Sequence, residues 1–189
     1  MGITLTDTPT RYGLVSVLMH WLIAMTYLGL FCIGWYMMTL DYYDPWYIAL
    51  PHWHKSIGML LLVVVLCLGV WRLTVKKPLN LENHLGWEVK SSRVAHWLLG
   101  LGVLIVLVSG YLIPTAEGSG ISVFNWGTFP AAFSLPGQED MSGLVHRYVA
   151  YFILGLSFVH AGAALKHHFV DKDDTLRRML SISINRNQS

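Results

Sequence analysis

His146 and His160 stand fourteen residues apart inside one long apolar stretch. At 100° and 1.5 Å per helical residue, that spacing brings the second imidazole back to within about 40° of the first and about 21 Å further along the axis. A helix crossing a bilayer would therefore present one imidazole near each surface. Ionisable side chains within membrane spans are expensive and point to function. A single buried histidine is ordinarily a satisfied polar residue, but two on one face, one near each end of a span, are hard to explain as packing. The chemistry that suits them is ligation of haem iron, because a six-coordinate b-type centre takes one axial imidazole from each side of the ring. Each histidine then needs a partner at its own depth.

The partners are sought by depth. His54 opens the second apolar stretch level with His146, and His20 lies about two turns into the first, level with His160. The expected pairs are His54 with His146 at the outer end and His20 with His160 at the inner end. His96, near the start of the third stretch, competes with His20; its other reading is a residue beside the inner centre, or a proton-handling group near a quinone. Gly58 follows His54 by four residues and Gly100 follows His96 by four, so each shares a helical face with its histidine and leaves room for a flat macrocycle. Lys55 and Arg147 directly follow the two outer histidines, and their cations suit the anionic propionates of a haem; the alternative is snorkelling to lipid phosphates. His52 on the outer connection, His84 on the inner loop, and His167 with His168 at the end of the fourth stretch read as solvated or interfacial. A metal site at the adjacent pair is disfavoured because consecutive helical residues point about 100° apart. Cys32 and Cys67 form no C-x-x-C-H attachment motif, so any haem is held non-covalently.

Four elements must position these groups. Of the 189 residues, 54% are hydrophobic and 13% charged, against about 25% charged in an ordinary soluble domain. The apolar residues fall in runs at about 14–38, 53–75, 94–114 and 144–166, each of the roughly 20 residues that span a bilayer. The first run is too long for a signal-peptide core and no small-x-small site follows it, so it reads as a permanent span. Short connections predict an all-α, integral membrane, up-down four-helix bundle forming a single domain over 1–189. Arg72, Lys76, Lys77, Lys90 and Arg93 lie between the second and third runs, and Lys166, Lys172, Arg177, Arg178 and Arg186 in or beside the tail at 171–189. The positive-inside rule places both sets, and both termini, in the cytoplasm. The connection 115–143, with Phe124, Trp126, Phe129 and Phe133, is expected along the outer membrane surface, and the tail as a short interfacial helix. No span is broken by a Gly-Pro pair and no inverted repeat is visible, which disfavours a transporter.

Several motifs in fixed order carry a resemblance. They are R-Y-G-L-V-S-V-L-M-H-W at Arg11 to Trp21, H-K-S-I-G at His54 to Gly58, A-H-W at Ala95 to Trp97, the fourth stretch from His146 through H-A-G-A-A-L-K-H-H to His168, and D-K-D-D-T-L-R-R-M at Asp171 to Met179. The chain resembles the bacterial cytochrome b561 family of di-haem membrane proteins over nearly its whole length. In that family the ligands come from helices one, two and four, which carries over to His20, His54, His146 and His160 and favours His20 over His96. The resemblance implies two non-covalent haem b groups, a multi-pass protein of the bacterial inner membrane, and one-electron transfer between the quinone pool and an outer-surface redox partner. At least one member looks like a superoxide oxidase that reduces ubiquinone, and related bundles anchor soluble dehydrogenases. The expected partners are thus lipid, ubiquinone or another quinone, and a periplasmic redox protein, with no nucleic acid; no catalytic residue is singled out. Around the outer histidines, Lys55 and Arg147 stand against Asp41, Asp44, Glu117, Glu139 and Asp140, a net of −3, which ranks superoxide below quinol or a protein as the donor.

Overall fold

The computed structural model describes residues 2–81, 85–180 and 184–185. His84 and Arg186, both read from the sequence above, lie outside the described residues. Four long helices dominate: α1 (Leu14–Met37), α2 (Ala49–Thr74), α3 (Gly86–Leu112) and α4 (Gln138–Phe169). Each is long and apolar enough to cross a membrane.

Three of them begin earlier than their apolar runs, because polar residues can start a helix that apolar ones continue. Pro51 sits in the first turn of α2, where its missing N–H is not needed. The Glu88 carboxylate accepts the Leu85 N–H at 3.1 Å and caps α3. Gly137 takes the left-handed conformation (φ 72°) immediately before α4, whose first turn carries Glu139 and Asp140 against the positive end of the helix dipole. Two expectations change as a result. His52 belongs to the first turn of α2 and not to a connection, and His96 lies about three turns inside α3 and not near its start.

The helices pack in sequence order, α1 on α2, α2 on α3 and α3 on α4. Side chains close the ring: Tyr27 donates its O–H to the Ala150 carbonyl at 2.8 Å, and Phe31 meets Tyr151 edge-on. Outward faces are apolar and exposed, as at Leu18, Leu22, Val63, Val70, Phe152 and Phe158, the inverse of a soluble surface and the pattern a hydrocarbon solvent selects. The core is a thin layer at mid-depth formed by Tyr27, Leu30, Leu61, Val103, Val106, Leu107 and Ile153. Ile153 is fully buried and lies seven residues from both His146 and His160. It fits because residue 102 is glycine: a Cβ there would come within 2.1 Å of Ile153 Cδ1.

The two ends of the bundle differ. At one end the first residues and the tail meet: β1 (Gly2–Ile3) pairs antiparallel with β4 (Ile184–Asn185), and Trp21 Nε1 donates to the Met179 carbonyl at 2.8 Å. Asp7, with no side-chain exposure, accepts from Arg72 at 3.0 Å and from the Gly13 N–H at 2.9 Å. The tail helix, α5 (Arg177–Leu180), has only four residues, and Arg178 donates to the Leu79 carbonyl. At the other end, β2 (Ile121–Val123) and β3 (Gly127–Phe129) form a hairpin in the long connection. Its turn places Phe124 and Asn125 at positive φ, as a type I′ turn requires. The Phe124 N–H donates to the buried Ser56 hydroxyl of α2 at 3.0 Å, and its ring meets Trp53.

Candidate functional site

Five imidazoles gather inside the bundle in two groups. At the hairpin end, His54 of α2 faces His146 of α4 with ring centres 6.1 Å apart and planes at 75°. At the end where the termini meet, His20 of α1 faces His160 of α4 at 6.5 Å and 61°. His96 of α3 also meets His160, at 5.0 Å and 74°. Both pairs set at equal depth by counting along the helices are brought together, and so is the competitor of His20, His96, against His160.

The outer pair is held by backbone. His146 Nδ1 lies 2.9 Å from the Val106 carbonyl oxygen, which can only accept, so Nδ1 carries the proton and Nε2 is left with its lone pair. The Ser109 hydroxyl stands 3.5 Å from the same nitrogen. On the other side, His54 Nδ1 is buried and turned towards the backbone of Leu30, short of a closed hydrogen bond. A carbonyl in a helix is normally screened by the side chain four residues later, and here both of those residues are glycines. A Cβ on Gly34 would sit 3.0 Å from His54 Cε1, and one on Gly110 would sit 2.9 Å from His146 Cε1. Gly34 and Gly110 were missed in the sequence. Their only signal was glycine inside an apolar helix, where it costs about 0.5–1 kcal/mol relative to alanine and so asks for a reason.

Gly58 and Gly100 are of another kind, since a Cβ on either would meet nothing within 4 Å. They border open space. Lys55 is half-buried and Arg147 exposed, and neither forms an ion pair among the described residues. His167 joins an ion-pair network at the inner end: its Nδ1 is 2.8 Å from Asp171 and 3.1 Å from Asp173, while Lys166 bridges Glu88 at 3.0 Å and Asp171 at 2.7 Å. The Glu88, His167 and Asp171 ligand atoms lie within 4.8 Å of one another, but the Lys166 ammonium already bridges both carboxylates.

Facing imidazole pairs inside an apolar bundle, one ring of which has its Nδ1–H engaged by a backbone carbonyl, are a donor set that haem iron accepts. The match to known proteins points the same way. The profile of the family described as prokaryotic cytochrome b561 matches residues 11–181. Cytochrome b561 homolog 2 of Escherichia coli (strain K12) is 44% identical over 179 residues, covering 94% of this chain and 95% of that protein. Cytochrome b561 homolog 1 of the same organism is 23% identical over 176 residues, covering 90% and 97%. A protein of Yersinia pestis named probable superoxide oxidase CybB is 28% identical over 179 residues, covering 90% and 96%. Because the similarity runs through all four helices and does not rest on a single motif, it carries more than a shared scaffold: this chain belongs to the prokaryotic cytochrome b561 family, haem b-binding electron-transfer proteins that cross the bacterial inner membrane several times.

Proposed function

We propose that the chain holds two b haems, the outer between His54 and His146 and the inner between His20 and His160, and passes single electrons between the quinone pool and a redox partner at the outer surface. The observation that carries this reading is the spacing of the rings at two depths along α4. Two metal–nitrogen bonds of about 2 Å, with roughly 1.1 Å more from each nitrogen to its ring centre, put the centres of trans imidazoles about 6 Å apart. The separations are 6.1 Å outside and 6.5 Å inside, whereas His96 and His160 at 5.0 Å stand too close.

When bound, haem supplies a one-electron iron couple. The protein fixes the rings, shields them and sets their potentials. The Val106 and Leu30 carbonyls orient the outer ligands, Gly58 leaves space beside His54 for the macrocycle, and Lys55 and Arg147 offer uncommitted cations to anionic groups. Both termini lie at the inner end and, by the positive-inside rule, in the cytoplasm. Redox titration of the purified protein with ubiquinol, menaquinol and superoxide, followed in the haem absorbance bands, tests the reading. Rapid reduction by a quinol is expected. Reduction by superoxide with none by any quinol would overturn it.

One observation favours a second reading, superoxide:quinone oxidoreductase: the two outer cations have no acidic partner among the described residues, and a relative carries the name of such an enzyme. Against it stands the outer net charge of −3, which repels an anion unless Lys55 and Arg147 make a local funnel. Stopped-flow reduction by superoxide at several ionic strengths separates the two. A slow rate, or one that rises with salt, is expected. A rate constant approaching about 10⁸ M⁻¹s⁻¹ that falls with salt, and collapses in a Lys55→Ala, Arg147→Ala double variant, would reverse the ranking.

A further inference from the structure

The inner histidines lack the backbone hydrogen bond that His146 has at the outer end. Among the described residues, neither His20 nor His160 makes a hydrogen bond at a ring nitrogen, while His146 donates to a backbone carbonyl. A ligating histidine almost always donates its other N–H to an acceptor, which fixes the ring and raises its basicity. The polar group standing against His160 is the ring of His96, edge-on at 74°.

The orientation of His96 is itself determined. Its Nδ1 lies 2.7 Å from the Ser92 carbonyl oxygen and 3.3 Å from the Ser92 hydroxyl. The carbonyl can only accept, so Nδ1 holds the proton and Nε2 of the neutral ring is an acceptor. Two imidazoles joined by an N–H···N hydrogen bond of about 2.9 Å have centres about 5 Å apart; these two rings stand at that separation, 5.0 Å, with their nitrogens not yet aligned for the bond.

We propose that His96 is a positioning residue for the inner haem: with the two rings turned slightly into line, its Nε2 would accept a hydrogen bond from the Nδ1–H of His160, giving that ligand imidazolate character and holding the inner potential down. This rests on His20 and His160 being the inner ligands. Ser92 acts one step further out, by fixing which nitrogen of His96 is the acceptor. The outer haem has carbonyl acceptors instead, so the effect is confined to one of the two centres.

The test uses the full-length protein purified with its haem. His96→Phe keeps a ring and removes the acceptor, whereas His96→Gln restores an acceptor through its amide oxygen. Haem stoichiometry, spectroelectrochemical midpoints and the low-spin ferric EPR signals are measured for each. Both variants should keep two haems. In His96→Phe the inner haem should become easier to reduce by roughly tenfold in equilibrium constant, about 59 mV for one electron, with its EPR signal shifted and the outer haem unchanged. His96→Gln should recover most of that shift. If the Phe variant does not assemble, His96→Asn, with a shorter amide that falls short of His160, takes its place with the same expectation. Two haems with an unmoved inner potential would overturn the proposal and leave the ligand assignment standing. Loss of one haem on replacing His96, with retention of two in His20→Ala, would overturn the ligand assignment itself.

Discussion

The outer imidazole pair is set by backbone and the inner pair by side chains. His146 donates to a helix carbonyl that Gly110 leaves uncovered, and the ring opposite it is turned towards one that Gly34 leaves uncovered, groups that cannot rotate away and that most substitutions leave in place. The inner pair has no such support among the described residues. Its rings meet His96 and Trp21 instead, and Arg72, paired with Asp7, lies within electrostatic reach of His20; all of these depend on side-chain conformation. A site made of carbonyls is rigid and hard to alter except by filling a glycine, while a site made of side chains can be retuned one residue at a time. The two imidazole sites of one bundle therefore differ in how freely their properties can drift.

The comparison is broken most directly by removing ligands. His146→Ala should abolish the outer haem and His160→Ala the inner one, each lowering haem content from two to one by pyridine haemochrome assay. If the His160 variant kept two low-spin haems, the inner assignment would fail. Next in size, Asp7→Ala strips the partner from Arg72. Breaking a buried ion pair costs about 3–5 kcal/mol, and because Arg72 keeps 25% side-chain exposure the low end of that range applies. Thermal unfolding should fall accordingly, and the inner haem should become the first to be lost on heating; equal loss of both would deny that the N-terminal segment supports the inner site selectively. The smallest effect is expected from Gly110→Ala and Gly34→Ala, whose new Cβ atoms press on His146 and His54 from 2.9 and 3.0 Å. Roughly tenfold weaker retention of the outer haem is the expected size for disturbing a ligand's supporting shell. Unchanged retention measured by haem transfer to apomyoglobin would show that the outer rings are not held against those carbonyls.

Some of this was legible in the sequence and some was not, for identifiable reasons. Apolar runs reveal spans because hydrocarbon imposes composition directly, and the fourteen-residue spacing of His146 and His160 becomes geometry through helix periodicity alone. Helix starts were hidden because α3 and α4 open in polar sequence around Glu88 and Gln138 and α2 opens across a proline, Pro51; this shifted His52 into a helix and moved His96 deeper, level with His160. Gly34 and Gly110 read as ordinary apolar-helix glycines until the opposing helix is known, since their importance lies in what they uncover on a neighbour. The Asp7–Arg72 contact joins residues 65 apart, and no local pattern announces such a pairing.

Ile153, seated in the notch left by Gly102 midway between the two histidines of α4, makes the bundle an insulated conductor. A water molecule settles in a cavity only where it finds about two to four polar partners, and in and beside the core layer the Tyr27 hydroxyl has already given its hydrogen to Ala150 and the Ser109 hydroxyl its own to Ile105. A hydrated thread that could relay protons has no footing there. Electrons need no such thread. Charge of one kind can therefore pass while its counter-charge is held back, and each passage does electrical work on the membrane, up to about 2.3 kcal/mol per 100 mV for a full crossing. With haem at both levels, as proposed, a dry layer built on one isoleucine and one glycine would make a redox reaction at this protein also an electrical event.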